Sequence, residues 1–227
     1  MAPPADKPQL SKAAVVERAL KLADTDGLEA LTIRKLAKEL GVTPMALYWH
    51  FRSKEELMEG LAERIWSEID LTVDPSAPWP DQLRGLLLSL IDVLRAHPSG
   101  SWLLSDYKGT NEHGLRAMEV TLGVLRDGAG FGPSEASEIA RLALWTGIML
   151  VLSENGFDPG KSLAERDEEN RVKMVTLSTL PPTLYPRVVE HARELTDCGS
   201  PELHFRLGAD VFIGGIVAAA EGYRYRG

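Results

Sequence analysis

The sequence predicts an all-α fold, in which a small N-terminal domain of three helices precedes a larger helical domain. Apolar residues recur at spacings of three and four along most of the chain, which is the helical period. No stretch alternates with period two for long enough to predict a strand. We expect residues 1–10 to be a disordered arm, 11–70 the first domain and 71–227 the second, because the segment TVDPSAPWP at 72–80 is Pro-rich.

Composition narrows the class of protein before any motif is considered. The chain has 227 residues with 44% apolar and 26% charged side chains, which is ordinary for a globular protein. The single cysteine, Cys198, excludes an intramolecular disulfide and fits a reducing compartment. We expect a cytoplasmic protein with no membrane association, since there is no N-terminal signal pattern and no uninterrupted apolar run of about 18 residues.

The charge is distributed unevenly along the chain. The net charge is −8, yet residues 1–54 carry nine Lys and Arg against six Asp and Glu, so that segment is +3 and the remainder −11. Such asymmetry predicts a negatively charged ligand for the N-terminal segment. The excess is small, so chance sampling is an alternative explanation.

The first two helices of the N-terminal domain have recognisable ends. Ser11 is a suitable N-cap because its hydroxyl oxygen can accept a hydrogen bond from the first turn. Asp26-Gly27 is expected to end this helix, with Gly27 in a left-handed cap. Leu31 and Thr32 open a second, short helix, which Gly41 ends.

The next two helices begin with stronger signals. Thr43 is the predicted N-cap and Pro44 the first residue of a third helix that runs to Phe51, because proline is tolerated at a helix start. Ser53 and Glu56 have the spacing of a capping box. They are expected to open a fourth helix that continues unbroken to residue 69.

The remainder of the chain also has helical patterns. Helices are expected within 83–94, 103–107, 109–126, 134–152, 184–195 and 202–223, with loops at 97–100 and 127–133 and a mobile loop at 155–170. The helices at 139–152 and 202–223 are apolar on nearly all sides, so they need partners on more than one side. They are either ordinary core helices or the interface of a homodimer.

The stretch VTPMALYWHF, residues 42–51, contains more large side chains than one face of a helix can bury. Leu47 and Phe51 are four apart and can pack inward, which leaves four residues facing outward: Met45, Tyr48, Trp49 and His50. The second helix, Gly41 and the third helix have the arrangement of a helix–turn–helix, whose second helix enters the DNA major groove. Plain packing of a helical hairpin is the alternative.

Residues 11–69 resemble the DNA-binding domain of the tetracycline-repressor (TetR) family. The matching segments are LTIRKLAKELGVTPMALYWHFRSKEELM and ALKLADTDGLEAL, and Leu-Tyr-Trp-His-Phe followed by Lys54 is similar to the end of the family's recognition helix. The resemblance implies that DNA is contacted by Arg34, Thr43, Pro44, Met45, Ala46, Tyr48, Trp49, His50 and Lys54. The family's tetracycline-binding members have a Gln-Pro pair where this chain has Pro44 and Met45, and a Thr in place of Ile33, so a different operator sequence is expected.

The resemblance extends more diffusely into the C-terminal domain, through Trp79, His97-Pro98 and HFRLGADVFIGGIVA. It implies a homodimer formed through the 139–152 and 202–223 helices, a palindromic double-stranded DNA operator, and a C-terminal pocket for a small-molecule effector. Repression is the family's usual mode of control.

The expected pocket differs from the tetracycline-binding type. Leu86 and Leu104 fall where polar drug contacts are expected, and Leu104 replaces a magnesium-binding histidine, so tetracycline–Mg²⁺ is not the expected effector and no metal or cofactor is predicted. The candidates suit an apolar, aromatic-rich cavity for a lipophilic molecule, although each is an equally good core residue. They are Trp66, Leu86, Leu90, Trp102, Leu104, Tyr107, Met118, Trp145 and Met149.

Catalytic motifs are missing from the sequence. The five histidines are scattered without metal-ligand spacing, and no nucleophile elbow or phosphate-binding loop occurs. We therefore do not expect an enzyme. A DNA-binding regulator without an effector remains the nearer alternative.

Overall fold

The structure, a computed structural model, describes residues 10–105, 111–154, 163–196 and 200–224. Within these ranges every regular element is helical, which confirms the predicted all-α class. The disordered arm expected at 1–10 lies almost wholly outside the described residues, as do Tyr107 and Cys198. The helices are α1 (Lys12–Asp26), α2 (Ile33–Leu40), α3 (Pro44–Tyr48), α4 (Lys54–Trp66), α5 (Trp79–Ala96), α6 (Gly100–Ser105), α7 (Glu112–Gly123), a π-helical turn (Val124–Gly128), α8 (Pro133–Glu154), α9 (Leu163–Ser178), α10 (Pro186–Glu190) and α11 (Pro201–Arg224).

Side-chain caps begin the first four helices where the sequence predicts them. The hydroxyl oxygens of Ser11, Thr32, Thr43 and Ser53 each accept a hydrogen bond from the backbone N–H three residues later, at 3.1–3.3 Å. Each bond satisfies one of the free N–H groups of a first turn. Gly41 ends α2 as predicted, and with φ 66° and ψ 30° it is in the left-handed conformation.

Three predicted details of these helix ends are wrong. Gly27 has a positive φ of 86°, but its ψ of 157° turns the chain into an extended segment rather than a left-handed helical turn. Helix α3 ends at Tyr48 instead of Phe51, because the N–H groups of His50 and Phe51 both bond to the carbonyl oxygen of Leu47. Helix α4 ends at Trp66 instead of residue 69, and the hydroxyl of Ser67 donates to the carbonyl oxygen of Arg64 at 2.6 Å.

The C-terminal part differs most from the prediction. Residues 163–170, expected in a mobile loop, begin helix α9, while residues 155–162 of that expected loop lie outside the described part. The α9 side chains that the structure describes are almost all exposed, including the apolar Val172, Met174 and Val175, so this helix has no buried apolar stripe. Helix α10 covers only part of the helix predicted at 184–195, and turns follow it.

The chain folds into two compact units, residues 1–148 and 149–227. In the first unit α4 lies at the centre of the packing, since it contacts α1 on the side of the N-terminal helices and also α6 and α7. Its residues Leu57, Leu61 and Ile65 are fully buried. Helix α4 therefore joins the N-terminal helices to their neighbours, and the domain boundary expected near residue 71 stays a prediction.

In the second unit, the last residues of α8 pack against α11. A Cβ added to Gly208 would lie 2.5 Å from Leu150 Cδ2, so a larger residue there would require the leucine side chain to move. The Nε2 of His204 lies 3.0 Å from the carbonyl oxygen of Leu150 and 3.1 Å from the hydroxyl of Ser153. Helix α9 contacts α10.

Two helices are long and apolar enough to cross a membrane by length and composition alone. They are Pro133–Glu154 and Pro201–Gly222, with 39% and 28% of their apolar windows buried. The sequence-based expectation of no span considered only uninterrupted apolar runs, which these helices lack. A helix that packs in a core or an interface has the same composition, so length and composition do not distinguish these cases.

A polar cluster centred on His97 joins α1, the end of α4 and the loop after α5. His97 Nδ1 lies 2.8 Å from Asp24 Oδ2, and its Nε2 lies 3.0 Å from Glu68 Oε2. Asp24 Oδ1 also accepts from the backbone N–H and the hydroxyl of Ser99, at 3.2 and 2.6 Å. Burial lowers the pKa of His97, but the hydrogen bonds and charges of Asp24 and Glu68 outweigh it, so its pKa is raised above 6.5.

We expect the contribution of His97 to stability to depend on pH. Its folded-state pKa is raised, so the stabilisation is complete below the unfolded value of 6.5 and is lost as the pH rises through the folded value. His97→Gln should lower the free energy of unfolding by about 1–3 kcal/mol at pH 5.5 and by less at pH 8.5. Urea denaturation at both pH values measures this difference. His191→Gln, at an exposed position, is the control, and an equal loss at both pH values for His97→Gln would contradict the assignment.

Candidate nucleic-acid interface and ligand cavity

Helix α3 is held in place by a small number of buried side chains. Leu47 and Phe51 are almost completely buried, and Leu36 and Ala37 of α2 form the facing surface. The left-handed conformation of Gly41 reverses the chain between α2 and α3, which are in contact. This is the geometry of a helix–turn–helix, in which α3 is the second helix.

The remaining side chains of this stretch face solvent. Met45 is 68% exposed and Trp49 86% exposed, and Tyr48 is about half exposed. Thr43 and Pro44 are exposed at the start of α3, while Ala46 and His50 are half-buried. Soluble proteins seldom expose several large apolar side chains together unless they bind a partner.

The basic side chains around this surface differ in whether they are already paired. Lys35 forms an ion pair with Asp26 at 2.7 Å, and Arg18 is paired with Glu39. Within the described residues, neither Arg34 nor Lys54 is in an ion pair, and both are exposed. Their charges are therefore available to phosphate groups, as the sequence predicts for both positions.

The start of α4 is bonded to acidic side chains of the protein itself. Glu56 Oε2 accepts from the N–H of Arg52 at 2.7 Å, and hydrogen bonds to its own N–H and to Ser53 lower the pKa of Glu55. The hydrogen bond from Arg52 is also the main reason for the lowered pKa of Glu56. Two carboxylates therefore occupy this helix start, and Lys54 acts only through its own ammonium group.

A cavity of about 130 Å³ lies between α4, α5, α6, α7 and α8 in the first unit. Its lining is formed mainly by aliphatic side chains, and none of the described lining residues is charged. The lining residues are Trp66, Ile69, Leu71, Leu83, Leu86, Leu87, Leu90, Leu104, Gly114, Leu115, Ala117, Met118, Thr121, Ala140, Ala143 and Leu144.

Five of the nine predicted ligand-binding residues line this cavity: Trp66, Leu86, Leu90, Leu104 and Met118. Trp102 lies half-buried on α6 outside the lining, and Tyr107 lies outside the described residues. Trp145 and Met149 are on α8 with exposed side chains, and Met149 belongs to the second unit. The expectation of an aromatic-rich lining is wrong, because Trp66 is the single aromatic residue among the described lining residues.

The sequence-based reasoning missed the small residues of the lining. Gly114, Ala117 and Thr121 follow one face of α7 at helical spacing, and Ala140 and Ala143 do so on α8. Small side chains leave the space that larger ones would fill. A row of small residues on the inward face of an amphipathic helix is the sequence pattern that could have identified these lining residues.

Metal binding has no support in the described part of the chain. No three His, Cys, Asp or Glu side chains converge there as metal ligands. Leu104, at the position expected for a magnesium ligand in tetracycline-binding relatives, is buried in the cavity wall. The absence of a metal stays a prediction.

The exposed helix–turn–helix beside a helical body with an internal cavity defines the class of one-component helix–turn–helix regulators. Comparison with known families agrees with this class. Residues 15–61 match the family described as "Bacterial regulatory proteins, tetR family", and residues 73–220 match "Tetracyclin repressor-like, C-terminal domain". The chain therefore belongs to the TetR family of transcriptional regulators.

Individual relatives share both parts of the chain. The class C tetracycline repressor protein of Escherichia coli is 29% identical over 213 residues, which cover 92% of this chain and 91% of that protein. The structure of Streptomyces coelicolor ActR in complex with actinorhodin has a TM-score of 0.78 at 26% identity, and the match covers 93% of this chain and 98% of that one. The structure of BioQ with its double-stranded DNA operator has a TM-score of 0.58 at 32% identity, covering 64% and 88%.

Two substitutions in α3 should distinguish side chains that stabilise the fold from side chains that are exposed for binding a partner. Leu47→Ala should lower the free energy of unfolding by about 2–5 kcal/mol, because it leaves a cavity in a closed core. Met45→Ala should change it by less than about 0.5 kcal/mol, since the side chain is exposed. Urea denaturation measures both values. A loss for Met45→Ala as large as that for Leu47→Ala would mean that Met45 packs against the protein.

Proposed function

We propose that the protein is a cytoplasmic transcriptional repressor that binds a palindromic operator as a homodimer and releases it when a lipophilic small molecule occupies the cavity. One observation carries the proposal most directly. Helix α4 begins with Lys54 beside the exposed helix–turn–helix and ends with Trp66 in the cavity wall. At 1.5 Å per residue these two positions are about 18 Å apart on one rigid element.

The proposed DNA contacts divide by chemistry. The first residues of α3, from Thr43 to Ala46, are placed to meet base edges, since the recognition helix presents its N-terminus to the major groove. Thr43 Oγ1 accepts the capping bond from Ala46, so its hydroxyl proton remains free to donate. Arg34, Tyr48, His50 and Lys54 are assigned to base or backbone contacts around this end, and Trp49 to the groove edge. The operator-bound relative BioQ supports this mode of binding.

The proposed dimer interface explains two apolar surfaces. Leu142, Trp145 and Met149 are exposed at helical spacing on α8. Leu203, Leu207 and Val211 are exposed every fourth residue on α11. Exposed Gly214, Gly215 and Ala218 continue the α11 face, where small side chains allow another helix to approach closely. A second copy of the chain would bury both faces by two-fold symmetry.

The proposed response to ligand follows from the packing of α4. Its Leu57 and Leu61 pack among the N-terminal helices, while Trp66 lines the cavity. Two recognition helices must lie about 34–36 Å apart to occupy successive major grooves. A ligand that binds one orientation of α4 better than another therefore shifts the population of dimers able to bind DNA. The actinorhodin complex of ActR supports a ligand-responsive role.

Selection of bound sequences from random double-stranded DNA tests the proposal. A dimer with two recognition helices should enrich a palindrome whose half-sites are centred about one helical turn apart. Enrichment of a single unrepeated site would contradict the dimeric mode. If an effector binds tightly and operator affinity does not change, the ligand-responsive part fails and a regulator without an effector remains.

Lys54→Ala should weaken binding to every DNA sequence by a similar factor. The lysine is assigned to a phosphate, so its loss should also make the slope of log affinity against log salt shallower by about one unit per protomer. Fluorescence anisotropy at several salt concentrations measures both effects. Lys173→Ala on α9 removes the same charge elsewhere and should change neither. A loss confined to one base position would contradict the phosphate assignment.

Leu207→Glu should convert the protein to a monomer, because it buries a charge in the proposed interface without a partner. Sedimentation equilibrium measures the molar mass, and operator affinity should fall with it. Val172→Glu places the same charge at an exposed apolar position of α9 and should leave the dimer intact. A Leu207→Glu protein that remains dimeric would exclude this face of α11 from the interface.

A further inference from the structure

The cavity contains few groups that can form hydrogen bonds. Among its described lining residues, only Trp66 and Thr121 have polar atoms in their side chains. The Thr121 hydroxyl already donates to the carbonyl oxygen of Ala117 at 2.8 Å, so its oxygen can only accept. The indole N–H of Trp66 can only donate. The cavity therefore offers one free side-chain donor.

The donor on Trp66 has no partner in the described part of the chain. Trp66 is 8% exposed, and its Nε1 is buried without a hydrogen bond. A buried N–H group without an acceptor costs about 1–3 kcal/mol, so native structures rarely retain one without a reason. A ligand that supplies the acceptor would recover this free energy on binding.

The indole edge of Trp66 faces α7. A Cβ added to Gly114 would lie 3.5 Å from Trp66 Nε1 and Cε2 and 2.9 Å from Asn111 Oδ1, so the glycine is beside the indole edge and the Asn111 side chain is close by. Gly114 and Trp66 both line the cavity. A side chain at position 114 would be in van der Waals contact with the indole edge, and glycine keeps that position open.

We propose that the cavity selects uncharged, lipophilic molecules that carry an oxygen acceptor, such as an aryl ketone, and that this oxygen accepts a hydrogen bond from Trp66 Nε1. The inference rests on the proposed function, because it concerns the ligand of the same cavity. The aliphatic walls formed by Leu86, Leu90 and Leu104 bind the ring, and the indole N–H sets its orientation.

The same lining selects against ions. No charged side chain is present among the described lining residues, so a carboxylate or ammonium group inside would be desolvated without a counter-ion. Such burial costs several kcal/mol. The cavity volume, about 130 Å³, is of the size that admits a single aromatic ring.

Three single-ring probes test the proposal with the full-length protein. Acetophenone has the acceptor, α-methylstyrene replaces that oxygen with a CH₂ group of similar shape, and benzoate carries a charge. Binding is measured by ¹H–¹⁵N correlation spectra of the tryptophan indole groups in wild type, Trp66→Phe and Trp79→Phe. Trp79 packs against Phe131 and is not in the cavity lining, so its variant controls for the loss of an indole.

The three probes are expected to differ in affinity and in their response to the substitutions. Trp66→Phe should weaken acetophenone binding about five- to tenfold, the size of one net hydrogen bond, and leave α-methylstyrene within about twofold. Trp79→Phe should change neither, and benzoate should bind wild type at least about a hundredfold more weakly than acetophenone at pH 7.5. The Trp66 indole resonance of wild type should move downfield with acetophenone only, which tests the bond even if Trp66→Phe is unstable.

Results that contradict the hydrogen bond from Trp66 differ from results that contradict the effector role of the cavity. Equal weakening of both neutral probes, no weakening of either, or tight benzoate binding would overturn the inference and leave the cavity as a ligand site. Failure of all three probes to bind wild type would overturn this inference and the ligand-responsive part of the proposed function, and a DNA-binding regulator without an effector would remain.

Discussion

Two glycines determine how closely other parts of the first unit pack against α4. A Cβ on Gly60 would lie 3.2 Å from Val16 and 3.3 Å from the ring of Phe51, so α1 and the residue after α3 contact α4 where it has no side chain. A Cβ on Gly100 would lie 3.3 Å from Ile65. Because protein interiors are close-packed, α4 cannot shift without moving both neighbours. The position of the helix–turn–helix and the shape of the cavity wall therefore depend on the same helix.

The two functional surfaces achieve selectivity by opposite means. Helix α3 is only five residues long and is fixed by Leu47 and Phe51, so nearly all of its other side chains remain exposed to solvent. The cavity is partly open, lined mainly by aliphatic side chains, and without charge among its described lining residues. As proposed, the first surface attracts a polyanion at long range, and the second admits a molecule only after desolvation. Each surface can therefore change without altering the other's ligand preference.

Helix starts could be predicted from the sequence where a single capping side chain determines the local backbone conformation. Ser11, Thr43 and Ser53 cap their helices as predicted, because a hydroxyl three residues before a free N–H needs no tertiary context. The family resemblance identified the N-terminal domain from a short and specific motif. Cavity residues were less predictable, since an inward-facing leucine can be core or lining, and only packing separates Trp66 from Trp145. The start of helix α9 was missed because residues 163–170 are mostly polar and the described side chains of the helix are almost all exposed, so no buried apolar stripe marks it.

The His97 cluster illustrates another kind of information that the sequence does not contain. Asp24, Glu68 and His97 are far apart along the chain, and no spacing rule connects them. Their convergence depends on how α1, α4 and α5 pack, and it places a titratable group where the N-terminal helices meet their neighbours. Only the folded chain shows that this histidine has two carboxylate partners.

The carboxylates at the start of α4 have a consequence for how the regulator finds its operator. Glu55 and Glu56 flank the same helix start as Lys54, and Lys12 forms an ion pair with Glu56 at 3.2 Å, so a phosphate that approaches the ammonium group of Lys54 also approaches the uncompensated charge of Glu55. Part of the backbone attraction is cancelled, and the attraction is the component of affinity that all DNA sequences share. In the proposed mode of binding, this weakens attraction to the large excess of unrelated genomic DNA and leaves the contacts between α3 and base edges unchanged. The acidic helix start would then raise the ratio of specific to non-specific affinity, which determines how much of the protein is sequestered on other sites.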